Sequence, residues 1–159
     1  MSQFGHETLN VYQESIRFIT WINELLETIP KNLSVHNQLD RASTSIPLNI
    51  AEGNGKHTSA DRCRYFDSAR GSALECAACL DVLVAKKKID GDKVKKGKDQ
   101  LYQIVSMLIG LTRANSQRSV WKKRLRSWSR LRSRNFSCNR PGGISFWAFE
   151  YLLLKRGIG

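Results

Sequence analysis

Two cysteines three residues apart are the first candidates for chemistry in this sequence. Cys76 and Cys79 form a C-x-x-C pair, a spacing found in zinc sites and in thiol redox motifs. Zinc would need two further ligands, for which Cys63 and His57 are the nearest options, and a redox motif would need a βαβ setting that is absent. Both thiols also stand in a helical segment of small residues, where cysteine packs as a small hydrophobe. We therefore interpret the pair as structural and predict no metal site.

A pair of glutamates, Glu52 and Glu75, is the second candidate, because two carboxylates can act as general acid and general base. The sequence offers them no partner, since the three histidines, at positions 6, 36 and 57, fall in or near loops and termini. It also lacks a nucleophile elbow, a phosphate-binding loop and a metal-ligand cluster. We predict that the protein is not an enzyme, that it has no catalytic residues and that it needs no cofactor.

A structural interpretation suits the polar residues near these glutamates better. We expect Asn49, Glu52 and Ser72 to form a buried polar contact where the second and third predicted helices cross. Arg41 or Arg70 would be available to Glu52. A contact of this kind fixes the register of two helices.

Lysines and arginines are the third candidate, because cations bind the phosphates of nucleic acids. The predicted nucleic-acid-binding residues are Lys56, Arg62, Arg64, Arg70, Lys86, Lys87, Lys88, Lys122, Lys123, Arg124, Arg126 and Arg130. In the segment 118–134 the cations alternate with Trp121 and Trp128, a pattern that suits phosphate contact with base stacking. The same pattern suits an anionic membrane surface. The charged side chains of residues 56–88 are also compatible with ordinary solvent-facing helix surfaces that bind no partner.

The net charge of +12 is unevenly distributed along the 159 residues. Residues 1–113 hold 15 Lys and Arg against 13 Asp and Glu, a net charge of +2. Residues 114–159 hold 11 Lys and Arg against Glu150 alone, a net charge of +10. An argument from basic charge to nucleic acid therefore applies mainly to the C-terminal part.

Length and composition indicate a soluble protein. A chain of 159 residues suits one domain, and 41% hydrophobic with 25% charged residues is typical of globular proteins. Glu7, Glu14 and Arg17 interrupt the first twenty residues, so we expect no signal peptide. No run reaches the roughly 18 apolar residues of a membrane span. We expect a cytoplasmic location, reduced thiols and no membrane partner.

Apolar residues recur at steps of three and four in four segments, which predicts an all-α fold. The predicted helices span residues 9–29, 33–52, 59–86 and 92–115. On the first helix the predicted inward stripe is Leu9, Tyr12, Ile16, Ile19, Ile22, Leu26 and Ile29, widened by Phe18, Trp21 and Leu25. Short connections favour an antiparallel up-and-down four-helix bundle.

Proline and glycine mark special positions in the middle helices. Pro47 has no N–H for the carbonyl of Ser43, so the second helix should kink or be locally repaired there. Gly53 is expected to end that helix as a left-handed cap. Gly71 costs the third helix about 1 kcal/mol relative to alanine. We expect this loss to be offset by a close approach of the second helix near Pro47.

The C-terminal residues 116–159 are predicted to form a basic extension to a bundle of residues 1–115. Residues 139–143 break any helix, and the apolar run that follows is too short to span a bilayer. This extension is compatible with selected sequence and equally with a readthrough or frame-shifted end.

The stretch 38–56, together with residues 64–75, resembles the four-helix bundle family of 23S rRNA intervening-sequence proteins. The resemblance covers about residues 8–115. The residues that carry it are Gln38, Leu39, Arg41, Ala42, Ser43, Ser45, Ile46, Pro47, Asn49, Ile50, Ala51, Glu52, Gly53, Phe66, Ala69, Gly71, Ser72 and Glu75.

This resemblance implies a ring-like homo-oligomer, with a pentamer as the expected form. It places relatives inside insertions of 23S rRNA genes and places similar bundles beside the reverse transcriptases of diversity-generating retroelements, where they bind the enzyme and its RNA. We therefore expect a non-enzymatic, nucleic-acid-associated bundle that binds RNA or DNA, a reverse transcriptase, or both. The alternative is a protein–protein assembly module whose C-terminal extension docks a partner or a membrane surface.

Overall fold

The protein, described here by a computed structural model, is helical. The structure describes the backbone of residues 3–134 and the side chains of residues 3–116. Within them it contains no strand and four helices, which are α1 (Asn10–Glu27), α2 (Ser34–Gly55), α3 (Ser59–Ala85) and α4 (Gly91–Arg134). The first compact unit of the chain, Met1–Lys122, contains the bundle. The predicted all-α four-helix bundle is confirmed.

One apolar core joins the four helices. Its largest fully buried side chains are Phe18, Ile22, Leu39, Ile46, Ile50, Phe66, Leu80, Leu83, Leu101, Ile104 and Leu108. Each side chain of this size contributes about 1.5–3 kcal/mol when it leaves water. On α2, the apolar residues that recur at steps of three and four are Leu39, Ala42, Ile46 and Ile50, and all four are buried.

The inward face of α1 differs from the predicted stripe. Phe18 is fully buried, whereas Ile16 is 42% exposed and Ile19 is half-buried. The steps of three and four fit two overlapping faces of this helix, and sequence spacing does not choose between them. Burial of an aromatic ring removes more apolar surface than burial of an isoleucine, so the face that contains Phe18 turns inward.

Contacts between neighbouring helices fix their relative direction. Gln38 on α2 donates a hydrogen bond to Glu75 on α3 at 2.5 Å, whereas Gly53, further along α2, lies beside Phe66, earlier on α3. Later residues of α2 therefore contact earlier residues of α3, as in an antiparallel pair. For α3 and α4 the same order appears in two contacts, Asp81 with Lys98 and Cys63 with Thr112. Each of these pairs runs antiparallel.

The close approach between α2 and α3 occurs at Gly53 and not at Gly71. α2 continues past Pro47 and past its predicted end at Glu52, and Gly53 is a helical residue outside the left-handed region. A Cβ atom at Gly53 would lie 2.9 Å from Cε1 of Phe66, whereas one at Gly71 would meet nothing within 4 Å. The predictions of a left-handed cap at Gly53 and of a close contact at Gly71 are therefore wrong.

The end of α3 is a Schellman motif without a glycine. The backbone N–H of Lys88 donates to the carbonyl of Leu83 at 3.0 Å, and that of Lys87 donates to Val84 at 2.8 Å. Lys87 has a φ of 53° and is the one described non-glycine residue with a positive φ. A side chain in this conformation costs about 1–2 kcal/mol.

α4 does not end at Asn115, as the sequence analysis predicted, but continues to Arg134. The segment 111–134 contains neither glycine nor proline, and arginine, lysine and leucine are good helix formers. The predicted amphipathic stretch 118–134 is thus part of α4. No helix among the residues searched is long and apolar enough to cross a membrane.

Gly97 is required by the packing of α4 against α1. A Cβ atom at this buried glycine would lie 2.1 Å from ring carbon Cζ3 of Trp21.

We expect Gly97→Ala to lower the free energy of unfolding by about 1–2 kcal/mol, because overpacking outweighs the gain in helix propensity. Gly110→Ala is the matched control, since its Cβ would enter open space, and it should raise stability by up to about 1 kcal/mol. Urea unfolding followed by circular dichroism measures both, and equal effects would contradict the assignment.

Replacing Lys87 tests the strained helix end. Glycine adopts a positive φ without a Cβ penalty, so we expect Lys87→Gly to stabilise the protein by about 0.5–1 kcal/mol. Lys86→Gly removes the same charge at a residue with a φ of −80° and should destabilise. The two midpoints of thermal unfolding should move in opposite directions, and a shift in the same direction would show that charge, not φ, controls this end.

Candidate nucleic-acid interface

The structure does not gather the predicted nucleic-acid-binding residues on one surface. Lys56, Arg62 and Arg64 lie at the α2–α3 connection, and Lys86 to Lys88 lie at the far end of α3. Twenty-four residues of helix separate Arg62 from Lys86, which corresponds to about 36 Å. Arg70 lies midway along α3 and pairs with Asp67 at 3.3 Å. The predicted cations from Lys122 to Arg130 are on α4, but their side chains lie outside the described residues.

An aromatic ring organises the cations at the α2–α3 connection. The ammonium of Lys56 lies 4.7 Å from the centre of the Tyr65 ring, and the guanidinium carbon of Arg64 lies 5.3 Å from it. Lys56 also pairs with Glu52 at 3.0 Å. Hydrogen bonding to Tyr65 and Lys56 lowers the pKa of Glu52, and the bond to Glu52 raises the pKa of Lys56. Both residues therefore remain ionised at neutral pH, and Glu52 is not poised for proton transfer.

Arg62, like Arg64, is a cation at this end that is not in an ion pair with a carboxylate among the described residues. Its guanidinium donates to the amide oxygen of Asn54 at 3.1 Å. It belongs to the start of α3, where Thr58 caps the helix by accepting the backbone N–H of Asp61 at 3.0 Å. Threonine is among the residues preferred at an N-cap, because its hydroxyl can accept one of the free N–H groups of the first turn.

The polar contact between α2 and α3 involves a residue that the sequence analysis did not single out for it. Asn49 donates to the carbonyl and the hydroxyl of Ser45 at 2.8 and 2.9 Å, and Ser72 donates to the Ser45 hydroxyl at 2.9 Å. Glu52 is exposed and takes no part in this contact. Ser45 lies one helical turn before Asn49, and that spacing is the signal by which it could have been found.

Arg41 occupies a different position from the other arginines of the bundle. It is exposed, it makes no ion pair within the described part of the chain, and it borders two open grooves on α2. These grooves are lined by Gln38, Asp40, Ala42, Thr44, Ser45, Leu48, Asn49, Glu52, Ser72 and Glu75. They are open to solvent and lined mainly by residues with polar side chains, which favours contact with a macromolecule over enclosure of a small molecule.

The connection between α3 and α4 carries the densest positive charge among the described side chains. Residues 86–98 hold seven lysines and two aspartates. All of these lysines except Lys98 are exposed, and only Lys98 is in an ion pair, with Asp81 at 2.6 Å. The others are therefore available to an anionic partner.

The second half of α4 carries still more charge. From Arg113 to Arg134 the sequence has nine Lys and Arg and no Asp or Glu. The backbone of this stretch is helical throughout, which spaces successive residues by about 1.5 Å along the helix. Nine cations at helical spacing can neutralise several phosphates of a nucleic acid backbone.

The cysteines are placed for packing and not for reaction. Burial raises the pKa of the Cys76 thiol to about 12, and burial also raises the pKa of Cys79. Both thiols are therefore protonated at neutral pH, whereas metal binding and nucleophilic attack require the thiolate. Among the described residues no group of three or more His, Cys, Asp and Glu side chains is placed to hold a metal ion.

Comparison with known proteins identifies a family. The model of the family described as 23S rRNA-intervening sequence protein matches residues 7–110. A crystal structure from Bacteroides thetaiotaomicron VPI-5482, of a protein of unknown function from the S23 ribosomal protein family, is similar with a TM-score of 0.61. The two chains are 24% identical over 64% of this chain and 97% of that one, which shows a shared fold. A comparison with curated proteins finds no match.

The raised thiol pKa of Cys76 has a measurable consequence. We expect a thiol reagent at pH 8 to label Cys76 in the native protein only as fast as the bundle opens, because the buried thiol stays protonated. Cys63, which is half-buried, should react faster in the same sample. Mass spectrometry of timed digests measures both rates. Labelling of Cys76 as fast as in urea-unfolded protein would contradict the burial that the structure shows.

Proposed function

The chain belongs to the 23S rRNA-intervening sequence protein family, and we propose that it is a non-enzymatic, RNA-binding helical bundle of the cytoplasm. The cationic half of α4, from Arg113 to Arg134, is the proposed main contact. Phosphates of the RNA backbone are the groups that it binds, and Trp121 and Trp128 add stacking on unpaired bases.

The observation that carries this proposal is the continuation of α4 through its most basic segment. Nine cations without a carboxylate would repel one another and extend in a disordered tail. On a helix their spacing is fixed by a rise of about 1.5 Å per residue, so the backbone does not have to be ordered when RNA binds. A preorganised cationic helix therefore binds phosphates more tightly than a flexible tail of the same composition.

The described part of the bundle supports a binding role over an enzymatic one. The carboxylates considered for acid–base chemistry are engaged, Glu52 by Lys56 and Tyr65, and Glu75 by Gln38. The thiols of Cys76 and Cys79 are buried. What lies on the surface is charge and open polar grooves, and both are features of macromolecular contact.

Oligomerisation and a protein partner are further parts of the proposal. A homo-oligomer, with the pentamer as its expected form, would present several cationic helices together and raise the affinity through multivalency. Exposed apolar residues such as Leu48 and Tyr102, which are 63% and 76% exposed, support a protein contact of this kind. A reverse transcriptase is the proposed second partner, since it would share the same RNA. Assembly without RNA is the alternative that these apolar residues favour.

Salt dependence is the test of RNA binding. We expect the full chain to bind a fluorescent RNA hairpin with an affinity that falls by orders of magnitude between about 50 and 200 mM salt, because bound phosphates release counterions. The test variant is Lys122→Gln/Lys123→Gln/Arg124→Gln/Arg126→Gln. Its log–log salt slope should be shallower by about 3, at lower affinity. Fluorescence anisotropy measures both quantities.

A matched variant separates local contact from net charge. The control is Arg17→Glu/Lys31→Gln/Gln103→Glu. It lowers the net charge of the bundle by the same amount and should leave the slope almost unchanged. Equal losses in both variants would argue against α4 as the contact. Binding that is absent or insensitive to salt would favour the protein–protein assembly module, and binding to anionic lipid vesicles alone would favour docking on a membrane.

A further inference from the structure

A second cationic surface, the lysine turn, is formed by Lys86, Lys87, Lys88, Lys93, Lys95 and Lys96. All six side chains are exposed, and none is in an ion pair. The two acids within the turn already have a local role. Asp90 accepts the backbone N–H of Asp92 at 3.2 Å, and Asp92 lies in the first turn of α4, where the helix dipole favours negative charge.

The lysine turn and the start of the cationic half of α4, from Arg113 to Lys122, lie at opposite ends of the bundle. Lys98 contacts Asp81 near the end of α3, whereas Thr112 contacts Cys63 near its beginning. Lys95 and Arg118 are 23 residues apart on one helix, a distance of about 35 Å along its axis. The Debye length at physiological salt is about 8 Å, so charges much farther apart than this are largely screened from one another. The two surfaces therefore attract anions independently.

The part of the bundle between them adds little attraction for a nucleic acid. Residues 1–85 hold seven Lys and Arg against ten Asp and Glu, a net charge of −3. Arg17 and Arg70 are already paired with Glu14 and Asp67. A single RNA segment that touched both cationic surfaces would have to pass along a surface without net positive charge.

The acidic residues at the lysine-turn end do not neutralise the lysines of the turn. α1 runs antiparallel to α4, since Trp21 lies against Gly97 and Glu14 accepts from Gln100 at 3.2 Å. The α1–α2 connection is therefore at this end and adds Glu24, Glu27 and Lys31, a net charge of −1. None of the three pairs with the lysines of the turn. Residues 86–98 alone carry a net charge of +5.

From this separation we propose that the lysine turn is a second RNA-binding surface, so that one chain holds two RNA segments at once. The inference rests on the proposed function, which assigns the first segment to α4. Residues 86–98 contain no aromatic side chain for base stacking. Lysine ammonium groups act as point charges, so this surface binds the phosphate backbone of a duplex without reading its sequence.

Joining of two RNA hairpins tests this inference with the full chain. One hairpin carries biotin and the other a fluorophore, and the protein should retain the fluorescent hairpin on streptavidin. At saturation, titration should give two hairpins per chain, which separates bridging within a chain from joining by an oligomer of singly occupied chains. The test variant is Lys86→Gln/Lys88→Gln/Lys96→Gln. It should bind one hairpin per chain, with retention reduced by about tenfold.

The control variant lowers the net charge by the same three units at exposed residues outside both surfaces. It is Arg17→Glu/Gln103→Glu, and it should retain the second hairpin as the unmodified protein does. Circular dichroism checks that both variants keep their helical signal. One hairpin per chain in the unmodified protein, or equal retention by the lysine variant, would overturn the inference while leaving the α4 contact intact. No hairpin bound at all would overturn the proposed function itself.

Discussion

The close packing of α2 against α3 is the constraint on which the rest of the bundle depends. At Gly53 the two helices approach until no Cβ fits between the α2 backbone and the Phe66 ring. Ala69 and Ala73 continue the small buried face of α3 on successive turns. Helices that approach this closely can form short polar contacts further along, such as that between Ser45 and Ser72 at 2.9 Å. The polar contacts specify the register, and the buried apolar side chains supply most of the stability.

A rigid bundle also determines where charge can act. Within the compact unit of residues 1–122, α4 carries Lys95 near its start and Arg118 about six turns later on one helix. In a flexible chain such groups would collapse around a single polyanion, whereas a helix keeps them apart at about 1.5 Å per residue. Its position is secured inside the bundle by Gly97 against Trp21 and by Leu101, Ile104 and Leu108 in the core.

The sequence was sufficient for the elements and insufficient for their contacts. Apolar spacing identified four helices and the buried face of α2, because periodicity depends only on neighbours within two turns. Apolar spacing could not show that Gly97 leaves room for the Trp21 ring, since those residues are 76 positions apart and meet only in the folded bundle. Glycine composition suggested Gly71 as the point of close approach, but that position is exposed and Gly53 has this role. The end of α4 was misplaced because no glycine or proline stands at Asn115 to stop the helix.

The same limit applies to the candidate interface. Charge counts along the chain revealed that its C-terminal part is basic, but they treated the lysines at 86–88 and the arginines at 62 and 64 as one surface. Antiparallel packing separates these groups, because the contacts of α3 with α4 place Cys63 beside Thr112 and Asp81 beside Lys98. A surface attracts a polyanion when its cationic side chains are not interspersed with acidic ones. This arrangement depends on the topology of the helices more than on the composition of the chain. The proposed function therefore rests on how the helices distribute charge. Among the described side chains, Cys76 and Cys79 are buried, and Glu52 and Glu75 are engaged by neighbours.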